Sequence, residues 1–194
     1  MKYVKILSLL AVAATALMAF AASASATSIT SPKNTLYTNT IHAVHEGSHV
    51  TLDNPIAKIE CNSTVHGASL THGAGVTAKG NITVAFTNCT NSWHVTVIAS
   101  GSLEVHNISG TTDGTLTSTG ATVTATRLGI ECRYATNATD VGRLTSSDTT
   151  GKEATLDITA AIPFHGGSGL CGGGATTWTG NYVVKTPTTL YVDP

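Results

Sequence analysis

Charge is scarce in this chain. Asp, Glu, Lys and Arg make up 11% of 194 residues, ten basic against eleven acidic. The cations stand singly, so the sequence offers no electrostatic footprint for nucleic acid or an anionic membrane. Aromatic residues are rarer still, at 5%. A stacking site for a ligand has only Trp93, Trp178 and the tyrosines to draw on. Beyond residue 26 no apolar run is long enough to span a bilayer, and no window carries helical periodicity. The nearest two of the four cysteines are 28 positions apart. Zinc sites favour close Cys pairs, so this spacing points to disulfides. The chain has no Gly-x-Ser-x-Gly nucleophile elbow. The glycine-rich stretch 166–174 lacks the Gly-Lys-Ser/Thr of a phosphate loop. It reads as a flexible hairpin connection pinned by Cys171.

Thr, Ser, Gly, Ala and Asn take the place of the missing charge. Thr suits strands, Gly and Asn suit turns, and together they are the composition of an all-β extracellular protein. Residues 1–26 read as a signal peptide. Lys2 and Lys5 precede an apolar stretch from Ile6 to about Ala22, and Ala24-Ser25-Ala26 supplies the small-x-small cleavage pattern. No cysteine stands at the cleavage point to carry a lipid. Cleavage leaves residues 27–194, the length of one domain with a real core. Both charges lost are lysines, so eight basic residues then face eleven acidic ones, a formal −3. The expected location is secreted, extracellular or at the cell surface, with no membrane span retained after processing.

Two-residue alternation recurs along the chain, the mark of half-buried strands. Ile82, Val84 and Phe86 share a face, as do Leu156, Ile158, Ala160 and Ile162. Trp93, Val95 and Val97 form another such set, and Leu103 and Val105 a shorter one. Further candidates are 41–44, 50–52, 57–61, 115–117, 121–125, 127–134, 182–184 and 189–192. Turn signals such as Asp53-Asn54-Pro55, Asp113-Gly114 and Thr119-Gly120 separate them. Short strands so spaced predict one antiparallel β-sandwich or barrel-like domain. Residues 27–40 are expected to be loose or to form an edge strand.

Ile59-Glu60-Cys61 recurs as Ile130-Glu131-Cys132. Each copy is followed by a Thr/Gly/Ala-rich stretch, a second cysteine (Cys89, Cys171) and a tryptophan (Trp93, Trp178). This predicts two pseudo-repeats, about 50–110 and 119–194, forming two quasi-equivalent sheets in one body. Of the three pairings that four cysteines allow, the repeat favours Cys61–Cys89 and Cys132–Cys171.

His45-Glu46-Gly47-Ser48-His49 matches the His-Glu-x-x-His pattern of zinc proteases. That chemistry needs both histidines on one face of a helix. Here Gly47-Ser48 sits between two β-like runs, so the context is a hairpin turn and no catalytic zinc is expected. His42, His45 and His49 remain as weak candidates for adventitious metal binding. Glu60 and Glu131 hold equivalent repeat positions, which would interest a glycosidase reading only if they converged. Solvent-facing residues opposite inward cysteines are the simpler reading. Asn62, Asn81, Asn88, Asn107 and Asn137 begin Asn-x-Ser/Thr sequons, a pattern that a Thr-rich chain also generates by chance. Trp93 and Trp178 are weak candidates for ligand binding, with core packing beside a disulfide the stronger role.

The segments Ile59-Glu-Cys-Asn-Ser-Thr-Val65, 80–89 and Leu128-Gly-Ile-Glu-Cys132 resemble those of uncharacterised small secreted bacterial β-proteins. More faintly, the Cys-flanked, Thr/Ser/Gly-rich strand pattern is similar to the alkane-oxidation protein activator family. The resemblance implies a non-enzymatic accessory or surface role and carries over no catalytic residue. From the residues themselves the leading reading is a non-enzymatic secreted or cell-surface structural or interaction protein. Its partner would be another copy or another surface protein, met through sheet edges, with residues 27–40 as the strand exchanged. The alternatives are an extracellular module binding carbohydrate or an apolar small molecule, and then a secreted hydrolase. No cofactor is implied. Shielded tryptophans favour the scaffold, and exposed ones favour the binding module.

Overall fold

The computed structural model describes residues 27–73 and 76–194. The expected signal peptide, residues 1–26, lies outside the described residues. The first half contains β1 (Ser28–Thr30), β2 (Ile41–His45), β3 (Val50–Asn54), β4 (Ala57–Gly73), β5 (Val76–Thr87), β6 (His94–Ala99) and β7 (Ser102–Asn107). The second contains β8 (Gly114–Thr119), β9 (Thr122–Arg127), β10 (Ile130–Ala135), β11 (Thr139–Thr145) and a single helical turn, α1 (Ser147–Thr150). It ends with β12 (Thr155–Ile162), β13 (Phe164–Gly167), β14 (Thr176–Thr186) and β15 (Tyr191–Asp193).

The main sheet runs β12-β11-β8-β7-β5-β4-β2-β14. It closes when β14 pairs back onto β12 from Thr155↔Val183 to Ile162↔Thr176. The result is a closed eight-stranded antiparallel barrel. Closure removes the unpaired edges that an open sheet exposes. Each half of the chain supplies four barrel strands, so the boundary between halves does not coincide with a boundary between sheets. A second sheet, β13-β10-β9-β6, packs against the barrel, and β1 pairs with β15 in a short ribbon. Residues 27–40 thus begin with a strand already paired within the chain.

The chain steps from the small sheet to the barrel at Ser100-Gly101 and back at Gly120-Ala121. These crossings touch: a Cβ on Gly101 would lie 2.2 Å from Ala121 N, and φ there is +63°. Only glycine meets both demands.

Two local expectations are corrected. The His45–His49 stretch was expected to reverse the chain, and it does not. β2 pairs with β4 from Ile41↔Gly67 to Val44↔Thr64, and β3 continues along the same strand from Val50↔Cys61 to Asn54↔Ala57. Glu46 to His49 are exposed and looped out between them. Gly47, at φ +99°, permits a bulge as readily as a reversal. Continued pairing on both sides decides between the two. The candidate strand 127–134 is instead divided. Leu128 and Gly129 take φ +48° and +81°, and Arg127 pairs with Ile130 across a two-residue turn. Leucine is a poor signal for a turn of that hand, which normally takes Asn or Gly.

The inward faces of both sheets form one contiguous core. Barrel residues such as Val65, Leu116, Ile158 and Tyr182 join Val95, Val123 and Tyr134 of the small sheet. The disulfides are Cys61–Cys89 and Cys132–Cys171. Each ties an Ile-Glu-Cys strand to a segment beyond a neighbouring strand.

Candidate functional site

The inward alternation of the barrel strands leaves a cavity of about 100 Å³ among apolar side chains. Its wall includes Val65, Val84, Leu103, Leu116, Val141, Ile158 and Trp178 from the barrel, with Val97 and Val123 from the small sheet. Polar groups at the wall are few, and one is already engaged. Ser118 Oγ lies 3.0 Å from Thr136 Oγ1, which in turn accepts from Ala121 N at 2.9 Å. Trp178 is 7% exposed, and its buried indole N–H lies beside the Tyr182 hydroxyl without forming a well-aligned hydrogen bond. Phe86 and Tyr182 pack edge-on against the Trp178 ring at centroid distances of 5.8 and 6.2 Å.

Tyr182 is fully buried and donates to Ser63 Oγ at 2.9 Å. Burial pushes its phenol up to about 12, with the Ser63 hydroxyl and the nearby Trp178 indole acting the other way. The phenol therefore stays protonated at any ordinary pH and serves as a polar strut.

The histidines named from the sequence do not converge. His42 stacks on His66, its cross-strand partner, with ring centroids 4.4 Å apart. Strand alternation places His45 on the opposite side of β2, where its Nδ1 sits 2.9 Å from Ser63 O and 3.3 Å from Ser63 N. His49 is exposed in the bulge. Among the described residues no group of three or more His, Cys, Asp or Glu is placed to hold a metal ion. Glu60 pairs with Lys58 at 3.0 Å and Glu131 with Arg133 at 2.7 Å, each with its neighbour two residues away on the same strand.

Trp93 is 4% exposed, so neither indole offers an open face for a sugar ring. Of the sequon asparagines, Asn107 is engaged in the fold. Its amide donates to Thr111 O at 2.9 Å and Val192 O at 2.6 Å.

The sequence singled out Trp178 by its repeat position, and the structure places it in the cavity wall. It gave no sign of the cavity itself, because alternation marks inward residues without saying which strands face one another. Comparison with family models, with curated proteins and with solved structures returns no match. The resemblance described above therefore rests on its quoted segments alone. Two disulfides point to an oxidising compartment. Among the described residues no helix is long and apolar enough to cross a membrane.

Proposed function

We propose that the protein works without turnover, as an exported binding protein whose receptor is the barrel lumen and whose ligand is a small apolar molecule. The observation that carries this reading is the almost wholly apolar cavity that the barrel and the small sheet enclose between their inward faces, with the Trp178 ring in its wall. Eight-stranded barrels are at the size where side chains either fill the interior or leave room for one small ligand. Size restricts the ligand class. An apolar cavity of about 150 Å³ accepts benzene or xenon and stays dry otherwise. A lumen of about 100 Å³ suits a short alkyl molecule or the end of a chain. The looped-out geometry of His45–His49 supports the non-enzymatic part, since the two histidines and Glu46 share no helix face.

A graded series of n-alkanols, read by thermal unfolding and tryptophan fluorescence, tests the proposal. The midpoint should climb with chain length and fall once the chain outgrows the lumen. If no member of the series shifts either signal, the lumen is not a receptor. A second reading, the structural or surface-interaction protein, is favoured by the two buried indoles. It is also favoured by the small sheet's remaining edges, β6 and β13, where Ile98 is 58% exposed. Edge pairing would appear as concentration-dependent self-association.

A further inference from the structure

Three large aliphatic side chains stand in solvent on neighbouring turns. Ile56 sits at the apex of the β3–β4 turn, Leu128 at the apex of the β9–β10 turn, and Leu170 in the 3₁₀ turn Gly169–Cys171. They are 40%, 89% and 66% exposed. Contacts place these turns at one end of the molecule. A Cβ on Gly172 would lie 3.1 Å from Pro55 Cβ and 4.0 Å from Ile56 Cγ2, so Ile56 adjoins the turn that carries Leu170. That turn is held against the Leu128 hairpin, with Ser168 N donating to Glu131 O at 2.8 Å and Cys171 Sγ 3.2 Å from the same oxygen. The Cys132–Cys171 bridge locks the contact.

Single exposed aliphatics, such as Leu36 and Ile98, need no explanation. Three on adjoining apices do, because one of them is also strained. Leu128 has φ +48° in a position where Asn, Asp or Gly would relax the backbone. The fold gains nothing from a leucine there, since the side chain packs against almost nothing.

We propose that this end of the molecule inserts shallowly into the surface of a phospholipid bilayer, with Ile56, Leu128 and Leu170 as the insertion points. The inference is independent of the lumen. A protein partner fits less well, because interface energy is concentrated in Trp, Tyr and Arg anchors and leucine is under-represented there. Separate apices also present a convex set of points, where a protein interface needs a continuous complementary patch. A fluid apolar phase accepts each point individually. The surrounding charge agrees. Lys58 is neutralised by Glu60 and Arg133 by Glu131. Arg127, beside Leu128, lies over the Trp93 ring at 5.9 Å, a lone cation suited to a headgroup phosphodiester. Such a rim predicts binding to neutral lipid with little dependence on salt. The Cys132–Cys171 bridge ties the Leu170 turn to the strand that follows Leu128, which lowers the ordering entropy that opposes insertion there.

The test is flotation of a chain beginning at residue 27 with phosphatidylcholine vesicles, so that the apolar leader does not contribute. The expected result is saturable partitioning that survives added salt. Pairing Leu128→Asn with Leu170→Ser should lower it about tenfold or more. Leu128→Asn alone should leave the thermal midpoint equal or higher, because Asn tolerates the positive φ, so the loss is not one of folding. No partitioning of the parent chain overturns the proposal, as does partitioning that the double variant leaves unchanged. A concentration-dependent dimer that the double variant abolishes, without vesicle binding, would assign the three apices to a second copy instead. Alkanol binding, measured without vesicles, stands or falls separately.

Discussion

Asp113 shows how one residue organises an otherwise weakly charged molecule. Its carboxylate is buried, yet Oδ1 accepts from Ser146 N at 2.8 Å and Thr149 Oγ1 at 2.9 Å, while Oδ2 accepts from Arg143. Through Ser146 and Thr149 it anchors α1 to the start of β8. Burial is the largest single influence on its pKa and acts upward. The donors from Ser146, Arg143 and Thr149 together outweigh it and hold the group below the ordinary carboxylate value. A depressed folded-state pKa stabilises the fold above the unfolded value, and that contribution is lost as pH falls through the folded one. Asp113→Asn should therefore cost about 2 kcal/mol or more in urea unfolding at neutral pH. It should also flatten the loss of stability on acidification. An acid limb as steep as the parent's would assign that limb to other carboxylates.

Among the elements, the attachment of β13 to β10 is the clearest case of sequence composition serving a close approach. Gly167 has φ +128°, and a Cβ there would lie 2.1 Å from Glu131 O. Gly167→Ala should detach β13 and expose β10 amides to hydrogen exchange while the barrel strands stay protected. Removing the neighbouring bridge by Cys132→Ser and Cys171→Ser together should cost about 3–4 kcal/mol in the chain-entropy picture. Both cysteine pairings and most strands were legible in the sequence because local alternation and the repeated Ile-Glu-Cys carry that information. β11 was not, for a physical reason. Gly142, at φ +145°, sits at a register shift, so the buried residues Val141 and Leu144 fall three apart and the two-residue period is broken. The Leu128 turn escaped notice for the converse reason: a strand-like leucine occupies a left-handed position. Both failures fall where the chain departs from regular geometry, and the second marks a candidate contact surface.

For the whole molecule the decisive feature is closure, and no local pattern announces it. The pairing of β12 with β14 is what turns a long sheet into a wall around a cavity. It also converts Trp178 from a candidate exposed platform into a lumen residue. The scaffold and receptor readings differ in what they expect when the lumen is enlarged. Leu116 is 2% exposed and lines the cavity, so Leu116→Ala should cost about 2–5 kcal/mol from lost burial and added void. If the lumen binds, the variant should accept bulkier apolar molecules than the parent does. Its thermal midpoint should then recover in proportion to the logarithm of ligand concentration, as for any ligand that binds only the folded state. Benzene is a suitable probe, a tight fit for a cavity of about 100 Å³ and well matched to one enlarged by a leucine side chain. A larger benzene-induced rise in midpoint in Leu116→Ala than in the parent would place the ligand inside the barrel. A destabilised variant that no apolar probe rescues would leave the core as a scaffold and shift the search for function to the outer surface.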